Sequence, residues 1–364
     1  MYSFEPSDEQ KMLIEVIKRY AENDLRPVAR DADEGDDFSP AVIEKGWEIG
    51  ILQASIPEDY GGFGERSVVT GTLALEELAW GDLAGMLAIM TPALFAMPIL
   101  LAGSENQKKS YLPKIVEGEW QPYSAAWIEP FYDFDPGDMR TQAKAEGDGY
   151  SLSGEKVFVP YASEAEAMLV YAQFDGTTQG FIVPHSGEGI DIGERQHLLG
   201  INGLPIYPVN LQNVHVPGEN RLGGPQGHAI APILDSTRVA MASAALGLSR
   251  AAFEYSRDYA KDREVFGVKV AQKQAIAFML AEMATEIEAI RLLTWEAAWK
   301  LDHAKEDASK TSYLALTGAM DMAMMVTDRA VQILGGHGYI REYPVEMWMR
   351  NGRGIASLAG LAMI

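Results

Sequence analysis

Apolar side chains recur every three to four residues through the first 120 residues, the spacing that predicts amphipathic helices. Ser7 precedes one of these runs, and Ser39, followed by a proline, precedes another, so both serines are expected to cap helices. Residues 122–227 instead form short runs of alternating apolar and polar residues between Gly, Asp and Pro, the pattern of antiparallel strands. Long amphipathic stretches then return and cover residues 232–262, 270–303 and 307–334.

This order of elements predicts an α+β protein that is mainly α, with a β domain inserted between two helical domains. The expected boundaries give an N-terminal helical domain at 1–121, a middle antiparallel β barrel or sandwich at 122–230 and a C-terminal helical bundle at 231–364. The chain has 364 residues, 47% of them hydrophobic, which is enough to bury a large core.

Charge and composition exclude several classes of function. A formal net charge of −22 disfavours binding to nucleic acid or to an anionic membrane, because both need clustered Lys and Arg. The chain has no Cys and six scattered His, so a disulfide framework, a thiol nucleophile and a metal site are not expected. The N-terminus lacks the pattern of a signal peptide, and the longest apolar stretch, 83–101, contains Gly, Thr and Pro. We therefore expect a cytoplasmic protein.

Seven short motifs occur in an order that is far more specific than any one of them alone. They are PEDYGGFG at 57–64, WIEP at 127–130, LSGEKVFV at 152–159, HVPGENRLG at 215–223, DREVFG at 262–267, AQKQAIAFMLAEM at 271–283 and QILGGHGY at 332–339. Together, on a helical–β–helical plan, they resemble the acyl-CoA dehydrogenase family over nearly the whole chain.

The resemblance implies a three-domain fold that ends in a four-helix bundle, with FAD as cofactor and an acyl-CoA thioester as substrate. It also implies assembly through the bundle into dimers of dimers, and electron-transferring flavoprotein as electron acceptor. Desaturation requires a carboxylate base on one face of the acyl chain and the flavin on the other, because proton and hydride leave on opposite sides. The implied enzyme is an oxidoreductase that acts on a CH–CH bond.

The carboxylate base of the family is missing from both positions where it occurs. In the family a Glu-Gly pair follows the arginine that matches Arg350, and this chain has Ala359 and Gly360 there. Other members carry the base just before the arginine that matches Arg238, and here that residue is Thr237. No catalytic residue is therefore assigned, and whether this chain catalyses the reaction alone stays open.

Residues that the family gives to the FAD of a neighbouring subunit are present. In the family, one subunit holds the isoalloxazine ring while the bundle of its neighbour binds the pyrophosphate and adenosine. An arginine would pair with the pyrophosphate, and glycines would let the backbone approach it closely. His337, in the GGHG turn, is expected to be a loop residue and not a base. The matching cofactor-binding residues are Arg263, Phe266, Gln274, Gln332, Gly335 and Gly336.

The residues that would face the flavin ring of the chain's own site are altered. Ile128 replaces a threonine whose hydroxyl bonds the ring, and the bulky Trp127 precedes it. Phe158 replaces the family's tryptophan, and Pro160 removes both a hydroxyl and a backbone donor. The family's glycine-rich phosphate loop becomes residues 131–135, whose aromatic side chains and carboxylates should repel a pyrophosphate.

Asp235 and Arg238 are the substrate-side candidates, because LDSTR resembles the family segment beside the CoA pantetheine. Arg238 is equally compatible with a structural ion pair. Family chains continue past the point that matches Ile364, so the end of this sequence is either natural or a truncation.

Three hypotheses follow from the loss of one half-site and the retention of the other. The favoured one is a subunit without a base that partners an acyl-CoA dehydrogenase paralogue in a heterotetramer. The second is a homo-oligomeric flavoenzyme with an unconventional base or a different reaction, such as elimination or desulfination. The third is a flavin-free acyl-CoA-binding or structural protein. The acyl group is not predicted.

Overall fold

The computed structural model describes residues 5–35 and 37–364. N-terminal helices are α1 (Asp8–Tyr20), α2 (Ala29–Gly35), α3 (Pro40–Trp47), α4 (Val68–Gly81), α5 (Leu83–Ile89), α6 (Ala93–Ala102) and α7 (Glu105–Val116). The strands that follow are β1 (Ser124–Ala126), β2 (Gln142–Glu146), β3 (Gly149–Pro160), β4 (Ala167–Phe174), β5 (Thr177–Pro184), β6 (Ile190–Ile192) and β7 (Ile206–Pro217). C-terminal elements are α8 (Ala231–Asp262), the hairpin β8 (Glu264–Val265) and β9 (Val268–Lys269), α9 (Gln274–Asp302), α10 (Ala308–Leu334) and α11 (Val345–Gly354).

The two predicted serine caps have different outcomes. Ser7 forms a complete capping box with Gln10, since its side chain accepts the Gln10 N–H at 3.2 Å and the Gln10 side chain accepts the Ser7 N–H at 2.9 Å. Ser39 occupies the position before α3, which begins at Pro40 as predicted, but its side chain makes no cap bond. The N–H of Val42, which a capping side chain could accept, is bonded to the backbone carbonyl of Ser39 at 3.0 Å instead.

A buried ion network fixes α4 against the C-terminal helices. Arg250 of α8 donates to Glu76 at 3.0 Å and to both carboxylate oxygens of Glu77 at 2.7 and 2.6 Å. Arg291 of α9 reaches the same Glu76 at 3.1 Å. Among the described residues, no single helix is long and apolar enough to cross a membrane; α5 and α6 reach that length only as a pair bent by 54°.

The β domain is one seven-stranded sheet in the order β1-β4-β2-β3-β7-β6, with β5 paired to β4. Most neighbours are antiparallel, and β1 pairs with β4 in parallel. The long β3–β7 ladder shifts register between Lys156 and Val159, where Phe158 adopts a left-handed backbone with φ of 55°. This irregularity lies in the strand that carries a predicted flavin-facing residue.

The C-terminal helices pack α8 at the centre and leave α9 at the surface. Only one stripe of α9 is buried, and it consists of Met283, Ile287, Ile290, Thr294, Ala297 and Ala298. Phe278, Leu292 and Trp299 lie on the exposed side of the same helix. The outer face of α9 is therefore rich in apolar side chains that contact no core within this chain.

Arg350 of α11 joins all three parts of the fold. Its guanidinium binds Asp33 of α2 at 2.9 Å, Glu346 of its own helix at 2.8 Å and the carbonyl oxygen of Leu199, from the segment between β6 and β7, at 3.1 Å. Arg30 completes the cluster with a 2.5 Å contact to Glu346. A planar donor group with several N–H directions is suited to such a junction.

The segment that leads from the β domain into α8 is held by His228. The Nε2 atom of His228 accepts the backbone N–H of Gly180 at 2.9 Å, and the side chain of Gln179 bonds both the N–H and the carbonyl of His228. Burial lowers the pKa of His228, and the nearby Arg221 lowers it further. The imidazole is neutral in this arrangement, because a protonated ring could not accept the Gly180 bond.

We expect the free energy of unfolding to fall as the pH drops below about 6.5, the ordinary pKa of unfolded histidine. Below that value His228 binds a proton in the unfolded chain but stays neutral in the native state. The free energy of unfolding therefore falls by at most about 1.4 kcal/mol for each pH unit. Urea denaturation across pH 5–7 measures this slope. His228→Gln keeps a neutral acceptor and should make this slope smaller, whereas His185→Gln, at an exposed position, should leave the slope unchanged. Equal slopes for the wild type and both variants would contradict the prediction.

Candidate functional site

Arg263, Phe266 and Gln274 lie together in the connection between α8 and α9. Arg263 follows the last residue of α8, is exposed, and makes no ion pair within the described part of the chain. Phe266 sits at the tip of the β8–β9 hairpin with φ of 56° and is 93% exposed. The ammonium of Lys273 lies 5.5 Å from its ring centroid, and the exposed Gln274 begins α9. The connection therefore offers an aromatic ring and two cations to solvent.

Gln332, Gly335 and Gly336 lie together at the end of α10. Gly335 has φ of 60° and ψ of −126°, a backbone conformation that residues with a Cβ rarely adopt, and its N–H bonds the carbonyl of Gln332. A Cβ built on either glycine would meet no atom within 4 Å. The backbone of this turn is open to close approach from outside the chain.

A hydrogen bond brings these two groups near each other. The carbonyl oxygen of Tyr259 accepts the N–H of Arg263 at 2.8 Å, and the Tyr259 hydroxyl lies 2.8 Å from Nδ1 of His337, just beyond Gly336. The six residues predicted to serve a neighbour's FAD thus lie in or beside two exposed turns, which the contact between Tyr259 and His337 connects.

Trp127, Ile128 and Phe158 lie elsewhere, in the β domain, where Trp127 and Ile128 are buried and Phe158 is partly buried. Trp127 is 5% exposed and meets Tyr171 edge to face at 4.2 Å. Gly360 packs directly on its indole, since a Cβ at Gly360 would lie 2.5 Å from Cδ1 of Trp127. The backbone N–H of Phe158 is already used by Oε1 of Gln196 at 3.1 Å. The side chains and donors predicted to face a flavin ring are therefore occupied by contacts within the chain.

The segment after Ala359 fills the space between Trp127, α4 and α8. Residues 361–364 are buried, and the carbonyl oxygen of Ile364 accepts bonds from Arg66 at 2.9 and 3.3 Å. Ser236, beside Thr237, donates to the same oxygen. Burial lowers the pKa of Arg66, and the carboxylate of Asp302 opposes that effect. Ala359 and Thr237, the two positions predicted to lack the base, thus lie next to this buried segment.

Asp235 and Arg238 are also engaged within the chain. Oδ1 of Asp235 accepts Arg238 Nη1 at 3.0 Å and Ser312 Oγ at 2.9 Å, and Ser309 donates to Oδ2. The guanidinium of Arg238 lies 5.4 Å from the ring centroid of Tyr313. Arg238 was predicted to be either a substrate-side residue or part of a structural ion pair, and the structure contains the ion pair with Asp235.

Comparison with known proteins identifies the chain. Models of the acyl-CoA dehydrogenase N-terminal, middle and C-terminal domains match residues 7–119, 124–214 and 227–362. The mitochondrial short-chain specific acyl-CoA dehydrogenase of Sus scrofa is 34% identical over 359 residues, which cover 96% of this chain and 86% of that protein. The chain belongs to the acyl-CoA dehydrogenase family.

Two further relatives cover almost the whole length of this member of the family. The caffeyl-CoA reductase-Etf complex subunit CarC of Acetobacterium woodii is 33% identical, with 98% of this chain and 96% of that protein covered. The solved butyryl-CoA dehydrogenase from Megasphaera elsdenii superposes with a TM-score of 0.89 at 32% identity, over 100% of this chain and 96% of that one. This agreement confirms the predicted fold class.

FAD is the cofactor of the acyl-CoA dehydrogenase family, and the two halves of the predicted FAD site differ in how well they fit it. The exposed half has at Arg263 a guanidinium without an ion pair among the described residues, together with an open glycine turn and an accessible ring at Phe266, which suit a pyrophosphate and an adenine. In the other half Trp127 is buried, and Pro160 has no N–H to donate.

Sequence reasoning missed the buried pair of Glu129 and Lys156. Lys156 is fully buried, with Nζ 3.0 Å from Oε1 of Glu129, and burial lowers its pKa to about 8 against the opposing effect of that carboxylate. Burial alone would raise the pKa of Glu129, but Lys156 and the N–H groups of Arg140 and Thr141 hold it below its usual range. A lysine inside the apolar run EKVFV was the available signal.

Proposed function

We propose that this acyl-CoA dehydrogenase is the subunit without a base in a heteromeric, FAD-dependent enzyme that α,β-desaturates an acyl-CoA thioester. A paralogous subunit supplies the carboxylate and holds the flavin ring, and this chain completes the binding of the pyrophosphate and adenosine in a heterotetramer. The observation that carries the proposal is the contrast between the two half-sites. Arg263 and the Gly335–Gly336 turn are exposed, whereas Trp127 is buried under Gly360.

The contacts of the altered loop argue against a homomeric enzyme with a base from that loop. Asp133 is paired with Arg140, with both carboxylate oxygens 2.8 Å from Nη2. Asp135 accepts the N–H of Gly137, and Tyr132 points fully into solvent. An exposed or charge-paired carboxylate lacks the desolvated position that raises the pKa of a general base. A flavin-free role would leave the cation of Arg263 and the open glycine turn without a use.

We further propose that the holoenzyme passes its electrons to an electron-transferring flavoprotein. The support is the similarity to CarC, a subunit of the caffeyl-CoA reductase-Etf complex, over 98% of this chain. The same relationship supports an acyl-CoA thioester as the substrate, since caffeyl-CoA and butyryl-CoA are the thioesters named for the similar proteins.

Flavin content tests the proposal directly. The chain purified alone should lack visible flavin absorbance, and co-expression with a paralogue that retains the family Glu should give a yellow complex with one FAD for each pair of unlike chains. One FAD per protomer in the lone chain would contradict the proposal and favour a homomeric enzyme. A colourless complex would favour the flavin-free role.

Removing the cation of Arg263 should weaken FAD binding by the complex. Arg263→Ala deletes a charge-assisted contact to the pyrophosphate worth about 1.5–3 kcal/mol, so the dissociation constant should rise roughly 10- to 150-fold. Titration of FAD into the flavin-depleted complex, followed by fluorescence, measures this change. Arg19→Ala removes an exposed arginine from α1, far from the two turns in sequence, and should leave the constant unchanged. Equal behaviour of the two variants would count against a pyrophosphate at Arg263.

A further inference from the structure

The imidazole of His337 is packed between two tyrosines at the junction of α8 and α10. Its Nδ1 lies 2.8 Å from the hydroxyl of Tyr259, and its ring stacks on Tyr343 with centroids 4.7 Å apart and planes inclined by 10°. Tyr259 and Tyr343 also meet edge to face at 6.2 Å. The three rings form one cluster, so the GGHG turn is anchored by a side chain and not only by its backbone.

This cluster connects the two exposed turns. Tyr259 lies in the last turn of α8, and its carbonyl oxygen holds the N–H of Arg263. His337 directly follows Gly336. One side-chain hydrogen bond therefore links the residue that fixes the backbone of Arg263 to the turn that carries the two open glycines.

The cluster is tied in turn to the rest of the fold through Tyr343. Its carbonyl oxygen accepts a bond from Arg30 at 3.2 Å, and Arg30 belongs to the ion cluster around Arg350. Apart from their chain neighbours, no atom of residues 5–35 and 37–364 lies within 4 Å of a Cβ built at Gly335 or Gly336. The ring of His337 is a side chain that ties this turn to Tyr259, and through Tyr259 to the backbone of Arg263.

We propose that His337 is a positioning residue for a bound dinucleotide pyrophosphate. By bonding Tyr259 and stacking on Tyr343, it holds the Arg263 guanidinium and the Gly335–Gly336 backbone at a fixed separation, so that both contact one diphosphate. A preorganised pair of contacts binds more tightly than the same groups on independent turns, because less ordering accompanies binding. This inference rests on the proposed function, since it takes the two turns to bind FAD.

Three variants of the complex with the Glu-bearing paralogue test the inference by FAD titration into flavin-depleted protein. His337→Ala and Tyr259→Phe each remove the hydrogen bond and should raise the FAD dissociation constant about fivefold to tenfold. His337→Asn places a polar atom near the former Nδ1 and should restore part of the loss. The melting temperature of the flavin-depleted complex should be the same for Tyr259→Phe as for the wild type, because this variant keeps the packed ring. Tyr259→Phe therefore tests the hydrogen bond even if His337→Ala folds poorly.

A double variant separates positioning from a direct or purely structural role. If His337 acts through Arg263, then Arg263→Ala/His337→Ala should bind FAD about as weakly as Arg263→Ala alone, because the effects are not additive. Additive losses, or wild-type binding by both His337→Ala and Tyr259→Phe, would overturn the inference while the Arg263 result still supports the proposed function. If Arg263→Ala itself has no effect, the proposed function fails and the inference fails with it.

Discussion

Replacing Lys156 with methionine should destabilise the protein by about 3–5 kcal/mol, because it leaves the buried Glu129 carboxylate without a cation. The pair is almost completely removed from solvent, and Lys156 Nζ also contacts the carbonyl oxygen of Trp127 at 3.3 Å. Urea denaturation monitored by circular dichroism measures the change, provided that the slope with denaturant stays constant.

Two further measurements distinguish charge burial from lost packing in that variant. Glu129→Gln/Lys156→Met replaces the ion pair by neutral groups of similar size and should recover most of the loss. Without the lysine, the pKa of Glu129 should rise, so the deficit of Lys156→Met should shrink as the pH falls and the carboxyl becomes protonated. A double variant as unstable as the single one, with no dependence on pH, would indicate a packing defect instead.

Replacing Arg350 with methionine should destabilise the protein by about 3 kcal/mol, because Asp33 and Glu346 lose a partly buried cation that they share and keep only Arg30. Burial raises the pKa of Glu346, but its hydrogen bonds with Arg350 and Arg30 hold that pKa below its usual range. The stability from this cluster is therefore present at neutral pH and is lost as the pH falls through the pKa of Glu346. Thermal denaturation at neutral and acid pH measures both effects.

Two controls bracket the Arg350 result. Arg353→Met removes an exposed arginine from the same helix that has no ion pair in residues 5–35 and 37–364, and should change stability by less than about 0.5 kcal/mol. Arg350→Lys keeps the charge but not the planar guanidinium, so its loss of stability should lie between those of Arg353→Met and Arg350→Met. If Arg350→Met behaves like Arg353→Met, the junction contributes nothing to the fold.

The helices and the family were predictable because their signals are local and repeated. The stretches expected at 232–262, 270–303 and 307–334 correspond to α8 (Ala231–Asp262), α9 (Gln274–Asp302) and α10 (Ala308–Leu334). Apolar spacing fixes such long helices with little ambiguity. Ser7 has its capping partner Gln10 three residues away, whereas the third residue after Ser39 is Val42, whose side chain cannot complete a capping box.

The packing around the residues predicted to face the flavin ring could not be read from the sequence. It depends on contacts between residues far apart in the chain, such as Trp127 with Gly360 and Arg66 with Ile364. The resemblance to the family predicted that Ile128 and Phe158 are altered, but not that Phe158 would take a left-handed backbone or give its N–H to Gln196. A register shift in a ladder arises from pairing geometry, which one strand's sequence does not specify.

The outer face of α9 links the amount of this protein in a cell to the supply of whatever covers that helix. Phe278, Leu292 and Trp299 remain in contact with water in the single chain, and side chains of this kind are what chaperones and proteases recognise on unassembled proteins. Copies of this chain that are made in excess over the partner that covers α9 should therefore be degraded faster than assembled copies. The relative amounts of chain and partner that the cell makes would then matter as much as the affinity between them.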